Sequence, residues 1–178
     1  MLAVVPFYLG DDADLVEPLS AELRRLFRRD VRILPPWFDP EEAFDGSRAQ
    51  YHSTRILAML LDGPGERFER VLAVTGVDLF IPILTYVFGE AQLSGKAAVA
   101  SVQRLRPEAY GLAPDRVLLL GRLVKEAVHE LGHTHGLLHC TDAGCVMRSS
   151  TYVEEIDLKG PEFCEACFAG LPGGEPRQ

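Results

Sequence analysis

With 178 residues, 47% of them hydrophobic and 25% charged, the chain is long enough for one buried core and too balanced in composition for a disordered or fibrous protein. A formal net charge of −8 argues against a nucleic-acid partner, because the one basic cluster, Arg24, Arg25, Arg28 and Arg29, reads as a solvated helix face in an acidic chain. No stretch approaches the roughly 20 apolar residues of a membrane helix, and the apolar start lacks a basic leader, so the sequence predicts a cytoplasmic protein with reduced cysteines and no membrane partner.

In chain order, Leu2 to Leu9 reads as a buried strand, and Leu15, Leu19, Leu23, Leu26 and Phe27 give the segment Asp14 to Arg29 a helical period. Val31 to Leu34 is a second strand, stopped by Pro35-Pro36. A helix is expected from about Ser47 to Leu61, ended by Gly63-Pro64-Gly65. Val71 to Thr75, Tyr86 to Gly89 and Ala97 to Ser101 read as further strands of a mixed sheet. From Asp115 to about His135 one long helical segment runs without proline. Beyond Gly136 the periodicity stops, and the glycine- and cysteine-containing remainder reads as loop-rich, with a flexible tail over 171–178. The prediction is an α/β fold in a single domain over 1–178: a sheet-and-helix part over 1–135, then a loop-rich part over 136–170.

Four of the five histidines lie in the run His129-Glu-Leu-Gly-His133-Thr-His-Gly136-Leu-Leu-His139. Residues four apart on a helix are separated by about 40° and one turn, so His129 and His133 can present imidazoles to one point. Glu130 falls about 100° further round, beside the pair, where a carboxylate can reach a metal-bound water without displacing it. Gly136 sits where the helix must end, since glycine takes the left-handed conformation without steric cost, and the turn brings His139 under the same metal. Three imidazoles with one open position describe a catalytic zinc, with Glu130 as general base for hydrolysis of an amide. His135 points off the ligand face and is expected at the surface or behind the ligands; His52 reads as structural.

The cysteines form C-x4-C then C-x-x-C, as Cys140, Cys145, Cys164 and Cys167. In a reducing compartment this reads as a closed four-thiolate zinc site, structural rather than catalytic. Cys140 follows His139 directly, so the second metal is expected to brace the third ligand of the first.

This combined pattern resembles the archaemetzincins, in which the histidine motif is followed at once by Cys, then by C-x-M, then by a distant C-x-x-C; here these are His129 to His139, Cys140, Cys145-Val-Met147 and Cys164-Glu-Ala-Cys167. Val74-Thr75 with Asp78-Leu79, Phe88-Gly89 with Ala91, and Ser101 with Arg104-Leu105 are similar to that family as well. The resemblance implies a metzincin-like zincin fold, a monomer, two zincs per chain and metal-dependent peptidase activity; peptides or small proteins are the expected substrates, with aminopeptidase action as the narrower expectation. It makes Met147 the methionine of the turn beneath the metal. A rim strand, Ala97 to Ser101 or Tyr86 to Gly89, would pair with extended substrate, and Tyr152 could donate to an oxyanion. A zinc-stabilised scaffold without turnover is the competing expectation; metal binding alone does not need Glu130.

Overall fold

The structure is a computed structural model, and it describes residues 1–172; of the expected tail, residues 173–178 lie outside the described residues. Strands β1 (Leu2–Phe7), β2 (Val31–Ile33), β5 (Arg70–Thr75), β7 (Gly89–Ala91) and β8 (Ala97–Ser101) form a sheet in the order β2-β1-β5-β8-β7. The first four in that order run parallel, and β7 pairs antiparallel with β8. A smaller sheet holds β3 (Phe44–Asp45), β4 (Gln50–His52) and β6 (Leu79–Phe80). Helices α1 (Val16–Phe27), α2 (Ser53–Leu61) and α3 (Arg116–Thr134) cover the large sheet, and the short helices α4 (Val153–Leu158) and α5 (Glu165–Ala169) follow.

The two-residue period of the strands sorts the core into two layers. Leu2 and Val4, Leu72 and Val74, and Ala98 and Ala100 pack against α1 and α3. Ala3 and Val5, Val71 and Ala73, and Ala97 and Val99 face α2 on the other side. Strands buried on both faces explain the near-continuous apolar runs of the sequence. Alanines at most of β8 let α3 lie close to the sheet, and this fixes the helix that carries the histidines.

Helix α3 begins where its cap dictates, the Asp115 side chain accepting a hydrogen bond from the Leu118 N–H at 2.9 Å. It is anchored laterally by buried Arg122, whose guanidinium forms a two-pronged pair with Asp157 just after the centre of α4 (2.8 and 2.6 Å) and donates to the Leu105 carbonyl at 2.8 Å.

Four sequence expectations are corrected. The helix read from Ser47 starts at Ser53, because Gln50–His52 are taken up by pairing with β3 and β6. Tyr86 to Gly89 is not the strand: pairing with β8 begins at Gly89, while Val87 makes a single bridge to Leu79. Ala97 to Ser101 lies inside the sheet, between β5 and β7, so it is not a rim strand; the edge is Gly89–Ala91, which shares only Gly89 with the other candidate, Tyr86 to Gly89. The cysteine-containing remainder is also more ordered than a loop, since it holds α4 and α5. The four arginines of the basic cluster are exposed, with Arg25 pairing to Glu22 and Glu162, as a solvated face requires.

Candidate metal centre

His129 and His133 stand one turn apart on α3, and the chain leaves the helix through Gly136 at φ +89°, the left-handed turn that returns His139 to them. The three rings have centroids 4.6, 5.3 and 5.0 Å apart, and one nitrogen from each lies within 4.8 Å of the others. His129 and His133 each direct Nδ1 at a backbone carbonyl, of Val146 at 2.8 Å and of Leu137 at 2.7 Å. A carbonyl oxygen only accepts, so both Nδ1 atoms carry the proton and both Nε2 atoms present bare lone pairs. Those lone pairs face each other at 3.0 Å. Two acceptors at that distance repel unless a cation lies between them, so the donor set fits a divalent metal, and imidazole nitrogen is a ligand zinc favours.

Burial supports the same protonation state. It pulls the His129 pKa down to about 3, with the nearby Lys159 ammonium adding to the effect, and it lowers His133 as well. Lys159 Nζ stands 3.5 Å from His129 Nδ1, but its close partner is the Arg148 carbonyl at 2.8 Å, and a protonated Nδ1 offers it no lone pair.

Glu130 is 6% exposed and lies beside the ligand pair, in a cleft of about 510 Å³ that also takes in His129, His133 and His139. Its neighbour across the cleft wall is β7: a methyl placed on Gly89 would come within 2.7 Å of Glu130 Cγ and of the Val99 carbonyl. Burial raises the Glu130 pKa well above the usual carboxylate range, and the Glu126 carboxyl one turn earlier raises it further. A dication at the histidines would act in the opposite sense, favouring the carboxylate. The Tyr152 side chain lines the cleft but is 64% exposed.

Met147 lies beneath the helix, its sulfur against Gly132, and its carbonyl accepts from the Cys140 N–H at 3.0 Å. The residue before it, Val146, supplies the carbonyl that orients His129. One short turn therefore touches both the histidine site and the cysteines. Cys140, Cys145, Cys164 and Cys167 are all free thiols whose sulfurs lie within 4.8 Å of one another. The Cys164 pKa is lowered, first by the Cys167 backbone N–H, while burial raises Cys145. Four converging sulfurs without a disulfide are the donor set of a closed tetrahedral zinc.

His135 stays out of the ligand set, as its helical phase implies. It is not a plain surface residue, however: it is half-buried, stacked on Phe27 at 5.9 Å with Nδ1 3.2 Å from Arg70 Nη2. His52 is partly buried against Phe80, away from the site. Sequence reasoning missed Glu126 and Lys159, which are 5% and 2% exposed and both line the cleft. The signal for Glu126 was its place four residues before Glu130; for Lys159 the sequence carries none.

Against known proteins, the model of peptidase family M54 matches residues 41–172. The chain is 45% identical over 139 residues to the archaemetzincin of Methanocaldococcus jannaschii, covering 78% of this chain and 75% of that one. It is 40% identical over 163 residues to the archaemetzincin of Archaeoglobus fulgidus, covering 92% and 94%. Among solved structures, the A. fulgidus archaemetzincin complexed with malonate superposes with a TM-score of 0.83 at 38% identity, over 96% of this chain and 99% of that one. A structure from Methanocorpusculum labreanum described as a zinc-dependent peptidase gives 0.84 at 30% identity, over 97% and 100%.

Two outcomes follow from this geometry. Gly89→Ala will drive the Glu130 side chain from its place, cutting peptide hydrolysis at least tenfold while leaving bound zinc per chain unchanged; retained activity with retained metal contradicts the contact. His135 has its pKa lowered to about 4 by burial, with Arg70 contributing, against an ordinary value near 6.5. The unfolded chain therefore takes up that proton first, and folded stability is lost as pH falls from about 6.5 to 4. Thermal melts of His135→Phe will show a shallower acid-side fall in Tm across that window than the parent; identical slopes refute it.

Proposed function

The chain belongs to peptidase family M54, the archaemetzincins, and is a zinc-dependent metallopeptidase, and from that membership we propose that His129, His133 and His139 hold its catalytic zinc and that Glu130 is its general base. The observation that carries the assignment is the pair of facing Nε2 lone pairs, 3.0 Å apart, whose tautomers are set by the Val146 and Leu137 carbonyls. Zinc, when bound there, supplies Lewis acidity that makes water ionise near neutral pH and polarises a carbonyl.

The chain's own groups then do the following. Glu130, held at the cleft wall by Gly89 and the sheet edge, takes the proton of the attacking water and hands it to the leaving amine nitrogen. Nδ1–H bonds to Val146 and Leu137 keep two imidazoles from rotating during this transfer. The β7 edge offers unpaired backbone groups to an extended peptide. In this reading Tyr152, whose exposed side chain lines the cleft, donates a hydrogen bond to the oxyanion.

Cys140, Cys145, Cys164 and Cys167 hold a second, structural zinc in this reading, giving two per chain, with Gly136 and Met147 as supporting residues of the turn between the sites. The support is the convergence of four unpaired sulfurs and the Cys140 N–H to Met147 carbonyl bond. Four thiols free of disulfides also suit a cytoplasmic setting. A site whose candidate ligands all come from one chain suits a monomer organised as a single domain, and a cleft of about 510 Å³ suits short peptides or small proteins, including aminopeptidase substrates. No described helix is long and apolar enough to cross a membrane, and the acidic net charge disfavours nucleic acid.

Glu130→Gln, compared with the parent at equal zinc content on a mixed peptide library, will lose cleavage by about 10²–10⁴-fold, the usual range for a positioned acid–base group; equal rates in both, or none in either, reject the assignment. Cys145→Ser will bind one zinc fewer by native mass spectrometry and will hold the remaining zinc less tightly against a chelator, whereas two retained metals would refute the bracing role.

A further inference from the structure

The floor of the cleft carries two buried ionisable groups to which the proposed hydrolysis gives no role. Glu126 is 5% exposed and Lys159 is 2% exposed, yet both open onto the same cavity as Glu130 and the histidines. Glu126 stands one helical turn before Glu130, and the Lys159 ammonium favours its charged form. Lys159 donates to the Arg148 carbonyl, which leaves further N–H bonds on its ammonium without a close acceptor among the described residues. Beside them, the Ser150 Oγ is buried with no hydrogen-bond partner among the described residues, and Ser150 lines the same cavity. Phe88 and Ala91 supply apolar wall.

Buried groups with unmet hydrogen-bonding capacity, gathered in one cavity, are costly unless something satisfies them. We propose that Glu126, Lys159 and Ser150 form a specificity pocket for a substrate side chain ending in a carboxamide, that of glutamine or asparagine, flanking the bond to be cut. This inference rests on the peptidase reading of the cleft. An aliphatic side chain would seal Glu126 and Lys159 from water and give them no partner. An acidic one would pair with Lys159 but crowd the carboxyls of Glu126 and Glu130. A basic one would pair with those carboxyls but crowd the Lys159 ammonium and a metal at the histidines. A carboxamide is neutral, donates N–H to Glu126 and accepts from Lys159 at its carbonyl, and its methylene stem packs on Phe88. Sites that hydrogen-bond a substrate group reject analogues lacking it, because their own polar groups are then left unpaired.

The test uses four hydroxamates that share one zinc-binding head and differ in a single side chain: carboxamide, isobutyl, carboxylate or primary amine. Their affinities for the zinc-loaded protein are measured by calorimetry. The carboxamide compound is expected to bind about tenfold more tightly than the isobutyl one, the order expected when buried polar groups are left unpaired. Lys159→Met is expected to reverse that order, and Glu126→Gln, which keeps shape and removes charge, to reduce it. Tightest binding of the isobutyl, carboxylate or amine compound, an unchanged order in both variants, or no binding of any compound overturns the pocket. The wild-type order decides the matter even if a variant fails to fold. The predicted order in a protein that cleaves no peptide would instead sink the peptidase reading and leave the pocket standing.

Discussion

Two imidazole lone pairs held 3.0 Å apart, each locked in place by a proton given to a backbone carbonyl, are the constraint on which this molecule is organised. Left alone they repel, and the fold works to keep them together. Small side chains along β8 bring α3 down on the sheet, Arg122 ties it to α4, and Gly136 turns the chain so that His139 joins the pair. The turn at Val146-Met147 completes the arrangement from below, supplying one carbonyl to His129 and another to the Cys140 N–H. Stabilising the cysteine segment and orienting the histidines are therefore one structural task.

Charge in the cleft follows from the same burial. Neutral histidines are favoured because water is excluded, and the same exclusion pushes Glu130 and Glu126 toward their protonated forms. The ammonium of Lys159 opposes that push, and a divalent ion at the histidines would do the same. The carboxylate proposed as base is thus held between opposing fields, burial and Glu126 favouring its protonated form and Lys159 its charged one.

Much of this was legible in the residues. The period of α3, its Asp115 cap and its end before Gly136 are local signals, and ligand spacing on a helix is fixed by backbone geometry alone. The parallel strands were readable as continuous apolar runs. What escaped were features decided by tertiary pairing. Strands of two or three residues, Phe44–Asp45, Gln50–His52 and Leu79–Phe80, carry no periodicity, and their pairing shortened the helix read from Ser47. Which strand lies at the edge depends on sheet order, so β7 could not be chosen over β8 beforehand. Glu126 and Lys159 look like ordinary solvent charges in sequence, and only the packing of α4 against α3 buries them together.

The most direct measurement is a crystal structure of the zinc-loaded protein with anomalous differences collected at the zinc edge. The account predicts one peak bonded to Nε2 of His129 and His133 and to one ring nitrogen of His139, with Glu130 outside the coordination shell. A peak bonded to Nδ1 of His129 or His133, or one whose shell is closed by Glu130 or another side chain, would contradict it.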